Sequence, residues 1–201
     1  AARYNSQRTV FKDCNICLHL DTGSSDTNNC HDFYGISCTN SDIGIKLENL
    51  NTGNFFLQDF AGCRINVQAI NSQVTFSGGE LEGYTESCFD LANSKVTITG
   101  ARFLSGQTIP PIIANNDTVV EVTNCAVDIA GNTTPMVICD ASSRAFGWSK
   151  SHIVGTEIGD SAGGKIRIKD YLGRDQDVLL SPFPWSTNSQ KVEEKNVGAL
   201  Y

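Results

Sequence analysis

The sequence predicts an all-β chain whose middle, roughly Ile43 to Thr156, is a right-handed, single-stranded parallel β-helix of about five coils. Three observations predict it: an apolar template that recurs along the chain, a second apolar series in step with it, and a turn residue at one fixed place in the template. An irregular N-terminal cap over 1–42 and a C-terminal β extension or arm over 157–201 complete the expected organisation.

The template is apolar, any, apolar, any, turn residue, small residue, any, apolar. It reads Val74-Thr75-Phe76-Ser77-Gly78-Gly79-Glu80-Leu81. It returns as Val96-Thr97-Ile98-Thr99-Gly100-Ala101-Arg102-Phe103 and as Val120-Glu121-Val122-Thr123-Asn124-Cys125-Ala126-Val127. A fourth copy is Phe146-Gly147-Trp148-Ser149-Lys150-Ser151-His152-Ile153, and a weaker one starts at Leu50 with Leu57 in the last apolar place. The starts at 50, 74, 96, 120 and 146 lie 24, 22, 24 and 26 residues apart. The second series, Ile65-Asn66-Val67, Phe89-Asp90-Leu91, Ile112-Ile113 and Val137-Ile138, keeps the same step. Each coil thus offers three short strands, the third centred on Leu81, Phe103, Val127 or Ile153.

Alternation with period two puts one side of each strand inward. Gly78, Gly100 and Asn124 tolerate a left-handed backbone and so bend the chain from the second strand to the third. One coil cannot bury its apolar face alone, and stacking completes both core and hydrogen-bond ladder. A β-sandwich also has many short strands, but it does not require aligned repeats with the turn residue in register. β-Branched residues, Gly and Asn interrupt every candidate helix.

The ends break the pattern. Residues 1–42 hold Cys14, Cys17, Cys30 and Cys38 together with His19 and His31, and an open solenoid end needs a cover. Lys165-Ile166-Arg167-Ile168-Lys169 alternates like an exposed strand, Gly173-Arg174 suits a turn before Val178-Leu179-Leu180, and Pro182-Phe183-Pro184-Trp185 suits extended chain. The polar stretch Asn188–Tyr201 suits an arm lying on a neighbouring subunit.

The net charge of −7 and the absence of a Lys/Arg cluster argue against nucleic acid as a partner. No apolar run approaches the roughly 20 residues of a membrane span, so membrane insertion is not expected. Charged residues make up only 18% while Asn, Ser, Thr and Gly abound; a surface of small polar groups suits an extracellular or virion β protein in contact with sugars. No Ser-His-Asp arrangement, phosphate loop or dinucleotide fingerprint occurs, and no cofactor is implied. The five cysteines from Cys38 onward read as buried thiols acting as small apolar residues. Cys14-x2-Cys17 with Cys30 and Cys38 is open to three readings: a tetrahedral zinc site, disulfides of a secreted cap, or unpaired thiols. No metal ligands are assigned. Asn116-Asp117-Thr118 and Asn132-Thr133-Thr134 are glycosylation sequons, which matter only in a eukaryotic secretory setting.

Enzymes built on solenoids set carboxylates side by side on an outward face, where one protonates the leaving oxygen and the other activates water or attacks. Glu80 and Glu82 flank inward Leu81, and Asp90 lies between inward Phe89 and Leu91; these three are the candidate catalytic acids. Glu121 and Asp128 are outward on the next coils. Arg102 stacks one coil beyond Glu80, and Glu86 lies in the connecting loop. With Tyr84, beside Gly83 and expected to be exposed, Glu86 and Arg102 are the candidate carbohydrate contacts. The plainer reading of Glu80–Arg102 is a surface ion pair. Trp148 aligns with inward Phe76 and belongs to the core, which leaves Trp185 as a further aromatic.

The aligned coils from Leu50 to Ile153, with the non-repeating ending from Lys165 to Tyr201, resemble the β-helix part of a bacteriophage tailspike or tail-fibre protein. The resemblance covers a little over half of the chain and is architectural. It implies a homotrimer in the virion tail that binds bacterial surface polysaccharide, and many such proteins also cleave it. Their solenoids are usually longer than five coils. Pectin-acting enzymes share the fold, but no pattern here matches their catalytic signatures. The expected function is therefore glycan recognition by a phage tail protein. The alternatives are a polysaccharide hydrolase or lyase, a secreted protein, and a purely structural virion component.

Overall fold

The computed structural model describes residues 2–4, 9–23, 30–104, 109–128, 135–149, 159–161, 165–169 and 177–178. Among these there are strands and turns and no helix. Four strands precede the first full turn: β1 (Ala2–Tyr4), β2 (Thr9–Lys12), β3 (Ile16–Asp21) and β4 (Cys30–Thr39). Five turns follow. They are β5 (Ile43–Glu48) with β6 (Thr52–Ala61); β7 (Ile65–Ile70) with β8 (Gln73–Ser77) and β9 (Glu80–Glu82); β10 (Ser87–Ala92) with β11 (Lys95–Thr99) and β12 (Arg102–Leu104); β13 (Ile112–Asn115) with β14 (Val119–Asp128); and β15 (Val137–Cys139) with β16 (Arg144–Ser149). Then come β17 (Gly159–Ser161), β18 (Lys165–Lys169) and β19 (Asp177–Val178).

The turns stack into two parallel ladders. The smaller sheet runs β3-β5-β7-β10-β13-β15-β17, and the spine of the larger runs β4-β6-β8-β11-β14-β16-β18. The expected parallel solenoid of about five turns is thus what the chain forms; before Ile43 the smaller ladder continues by one rung, β3, and the larger by two, β4 and then β1 with β2, and after β16 the ladders continue with β17 and β18. Among the described residues only β18 and β19 pair antiparallel. Lys165–Lys169 is therefore a rung of the larger sheet rather than an exposed strand, and Ile166 is buried beneath it. The residues from 150 to 158, with Ile153, and the segments Gly173-Arg174, Pro182–Trp185 and Asn188–Tyr201 lie outside the described residues.

Among the described residues, left-handed backbone recurs at three corners of the coils. Gly78, Gly100 and Asn124, with φ of 71°, 66° and 55°, make the bend read from the template. Asn40, Gly62 and Gly83 make a second, and Asn49, Asn71, Asn93 and Asn116 a third. The third corner is a ladder of side chains. Asn93 Nδ2 donates to Asn71 Oδ1 at 2.8 Å, Asn71 to Asn49 at 3.3 Å, and Asn49 to Asp21 Oδ1 at 3.0 Å. Just inside it runs a column of hydroxyls: Leu50 N donates to Ser72 Oγ, Ser72 N to Ser94 Oγ, Ser94 N to Thr118 Oγ1, and Thr118 N to Ser143 Oγ. These bonds satisfy backbone donors where the chain leaves one sheet for the other, a place where the strand ladder cannot.

The core is one continuous apolar column. Phe33, Phe55, Phe76, Phe89 and Phe103 run through it ring against ring, with successive centroids 5.2, 5.3, 5.4 and 6.1 Å apart. Stacked and edge-on pairs at such spacings add to the burial of the rings themselves.

Two expected registers shift. The first copy starts at Gly53, which pairs with Val74, and Phe60 rather than Leu57 pairs with Leu81. The ring of Phe55 fills the place a side chain at 53 would take, so an inward position carries no apolar residue. In the last copy Ala145 pairs with Val120 and Gly147 with Val122. Gly147 thus takes the column of Phe76, and Trp148 takes the register position of Thr123 instead. The reason is backbone contact: a Cβ at Gly147 would lie 1.8 Å from the Val122 carbonyl oxygen. Phe146, expected inward, is an outward residue and 39% exposed. A slip of one residue exchanges the two faces of a strand.

Candidate functional site

The residues singled out from the sequence fall into separate places. Glu80 and Glu82 share the exposed side of β9. Arg102 pairs with Glu80 in the β9–β12 ladder, and its Nη1 donates to Glu80 Oε1 at 2.9 Å. Asp90 is on the smaller sheet, half-buried, and accepts a hydrogen bond from Gln68 Nε2 at 2.8 Å. Glu86 lies beside Arg64, which it shares with Asp42; Arg64 Nε donates to Asp42 Oδ1 at 2.6 Å. Arg64 thus ties three successive coils together, and its hydrogen bonds hold the Asp42 carboxyl below its ordinary value. Among the described residues no hydrogen bond or ion pair joins Asp90 to Glu80 or Glu82.

Tyr84 departs from expectation. It is fully buried, and its hydroxyl donates to the Ile109 carbonyl at 3.4 Å. It belongs to the core between β9 and β10, so the ring fills the interior and offers no face to a sugar. Burial pushes its hydroxyl pKa upward.

The cysteines resolve in part. Cys38, Cys63, Cys88, Cys125 and Cys139 are buried free thiols, as expected. Burial raises all five pKa values, Cys125 to about 11 and Cys139 to about 12. Cys14 and Cys17 are half-buried free thiols, and Cys17 donates to Ser41 Oγ at 3.1 Å. His19 faces away to Glu48, 2.7 Å distant. Among the described residues no three His, Cys, Asp or Glu side chains gather as metal ligands. The Thr118 hydroxyl of the first sequon is buried and bonded to Asn115 O at 2.6 Å; Asn132-Thr133-Thr134 lies outside the described residues, as does the side chain of Asp128.

The most developed surface feature is one the sequence reading passed over: the outer side of the larger sheet. Strand register sets its side chains in columns. One column runs Thr52, Gln73, Lys95, Val119, Arg144, and the next runs Asn54, Thr75, Thr97, Glu121, Phe146. Between them lies a shallow groove of about 220 Å³. Phe146 stands at one end of it. Tyr34 and Phe56 lie outside the groove, in the next column along the strands with Ser77 and Thr99; both are exposed, with stacked rings 4.4 Å apart and 7° from parallel. The four rungs from Asn54 to Phe146 span about 19 Å at the usual strand spacing. Thr75, Thr97 and Glu121 occupy an "any" place of the template and Gln73, Lys95 and Val119 stand just before it, so their alignment was readable there. Asn54, Arg144 and Phe146 were hidden by the register shifts of the first and last copies.

Such a face offers hydroxyl and amide groups that both donate and accept, with exposed aromatic rings beside them, and it is long enough for a chain of several units. Comparison of the chain with protein-family models, with curated proteins and with solved structures gave no match.

Proposed function

We propose that this chain is a bacteriophage tail component of the tailspike or tail-fibre type, and that it holds bacterial surface polysaccharide on the outer side of its larger sheet. The observation that carries this reading is the groove lined by Thr, Asn and Gln side chains with exposed Phe146 at one end, on the same face as the exposed Tyr34–Phe56 stack. Sugar rings carry hydroxyls around their edge and apolar C–H groups on their faces. Side-chain hydroxyls and amides match the first, and exposed aromatic rings match the second. The neighbouring coils supply a rigid backbone, which lowers the ordering cost of binding.

Binding of the labelled chain to encapsulated and smooth bacterial cells tests the reading. Adsorption is expected to at least one host and to be lost after the surface polysaccharide is stripped. Phe56→Ala is expected to weaken adsorption while leaving the melting temperature unchanged. Failure to bind any bacterial envelope would refute the proposal. Assembly as a homotrimer belongs to the same reading, and a monomer mass in solution would overturn that part alone.

A further inference from the structure

We infer that the groove is selective for acidic polysaccharide, with sugar carboxylates seated at Lys95 and Arg144. This inference rests on the glycan-recognition reading above and narrows it to a class of sugar.

The argument begins with the cations. Lys12, Lys46, Arg64 and Arg102 each have a carboxylate partner. Among the described residues, Lys95 and Arg144 have none. Both belong to one column of the larger sheet, separated by Val119. Lys95 lines the groove, and Arg144 pairs in register with groove-lining Val119 and lies two residues from groove-lining Phe146. Both are exposed. In a chain of net charge −7, two unpaired cations beside one groove form a local exception to the acidic surface.

Spacing then favours one kind of anion. Two rungs separate Lys95 from Arg144, about 10 Å, close to the span of a disaccharide. An extended polymer with one carboxylate per disaccharide repeat sets its charges at that interval. A densely charged polyanion would instead bring most of its charges against the acidic remainder of the surface. Glu121 lines the same groove, on the rung of Val119 and between the two cations. It would accept hydroxyls of the intervening neutral sugar and repel a carboxylate placed there, which enforces the spacing. Asp32, beneath Asn54 and bonded to its Nδ2 at 2.8 Å, keeps the Asn54 end acidic and so gives the groove a direction.

The test uses the full chain and a panel of purified bacterial surface polysaccharides, each in native and carboxyl-reduced form, with affinity read by native gel retardation and calorimetry. At least one uronate-containing polymer is expected to bind and to bind about tenfold more weakly once reduced. Lys95→Gln and Arg144→Gln are each expected to weaken that binding about fivefold. Glu121→Gln is expected to strengthen it, and Lys46→Gln, on the other sheet, to leave it unchanged. Raised ionic strength should weaken binding of the native polymer only. Equal binding of native and reduced polymers, or binding confined to neutral ones, would overturn the acidic selectivity while glycan recognition stands. Retention by no polymer of the panel would overturn both.

Discussion

At Asn49, Asn71 and Asn93 the backbone turns left-handed, with φ of 61°, 51° and 48°. Asparagine tolerates that region better than other side chains that carry a Cβ. Here each amide also bonds its neighbour one coil away. Asn71→Ala is expected to lower stability by about 1–2 kcal/mol in urea denaturation. Asn71→Gly should recover the backbone share and lose only the amide bonds. Ser94 acts differently. Its hydroxyl accepts from Ser72 N at 3.0 Å and donates to Ala92 O at 2.8 Å, inside the coil. Ser94→Ala strands a buried N–H, and a loss of about 1–3 kcal/mol is expected by the same measurement. Both columns were present in the sequence, as Asn49, Asn71 and Asn93 and as Ser72 and Ser94, at steps of 22. They went unread because a polar residue repeated at a fixed step looks like surface until its φ and its partner are known.

Strands set apart residues that look alike in sequence. Phe55 and Phe56 are neighbours on β6, yet Phe55 stacks inside between Phe33 and Phe76 while Phe56 stacks outside on Tyr34. Phe76→Ala opens a hole in the core column and is expected to cost about 3–5 kcal/mol. Phe56→Ala should change stability by no more than about 0.5 kcal/mol. Equal losses in the two variants would contradict the assignment of faces. The alternation of β8 and β11 was legible because Val74, Phe76, Val96 and Ile98 are all large and inward. In β16 it was not. Close packing of Gly147 against the Val122 backbone leaves small residues inward and a large one outward, the reverse of the usual signal.

Over the whole molecule, the five buried thiols couple stability to pH. Their folded pKa values lie above the ordinary 9.0, with Cys125 at about 11 and Cys139 at about 12. The unfolded chain therefore loses these protons first. The contribution is fully present below pH 9 and lost as pH rises through the folded values. Asp140 behaves oppositely. Hydrogen bonds from Asn116 N and the Ser143 side chain hold its carboxyl at about 2, below the ordinary 3.8. Its contribution is present above that ordinary value and lost as pH falls toward 2. Thermal melts across the pH range should show a plateau with an alkaline decline that starts near 9. Iodoacetamide should label Cys14 and Cys17 in the native chain and reach the buried five only on unfolding. An unchanged melting temperature up to pH 11, or native labelling of Cys88, would contradict the packing described here.

The sequence by itself determined the solenoid, its step, its Gly and Asn corner beside the third strand, and the burial of the later cysteines. Those features follow from period-two alternation and from the small set of residues that accept positive φ, both of which are local. Tertiary structure alone decided the rest. It buried Tyr84 within the core, and it tied Glu86 to Arg64. It placed Asp90 on a different sheet from Glu80 and Glu82. It also set outward residues of successive coils into a groove with Phe146 at one end, because which residues stand side by side across coils depends on register. A one-residue shift in register, as at Phe146, moves a side chain from the core to the surface where a ligand could meet it.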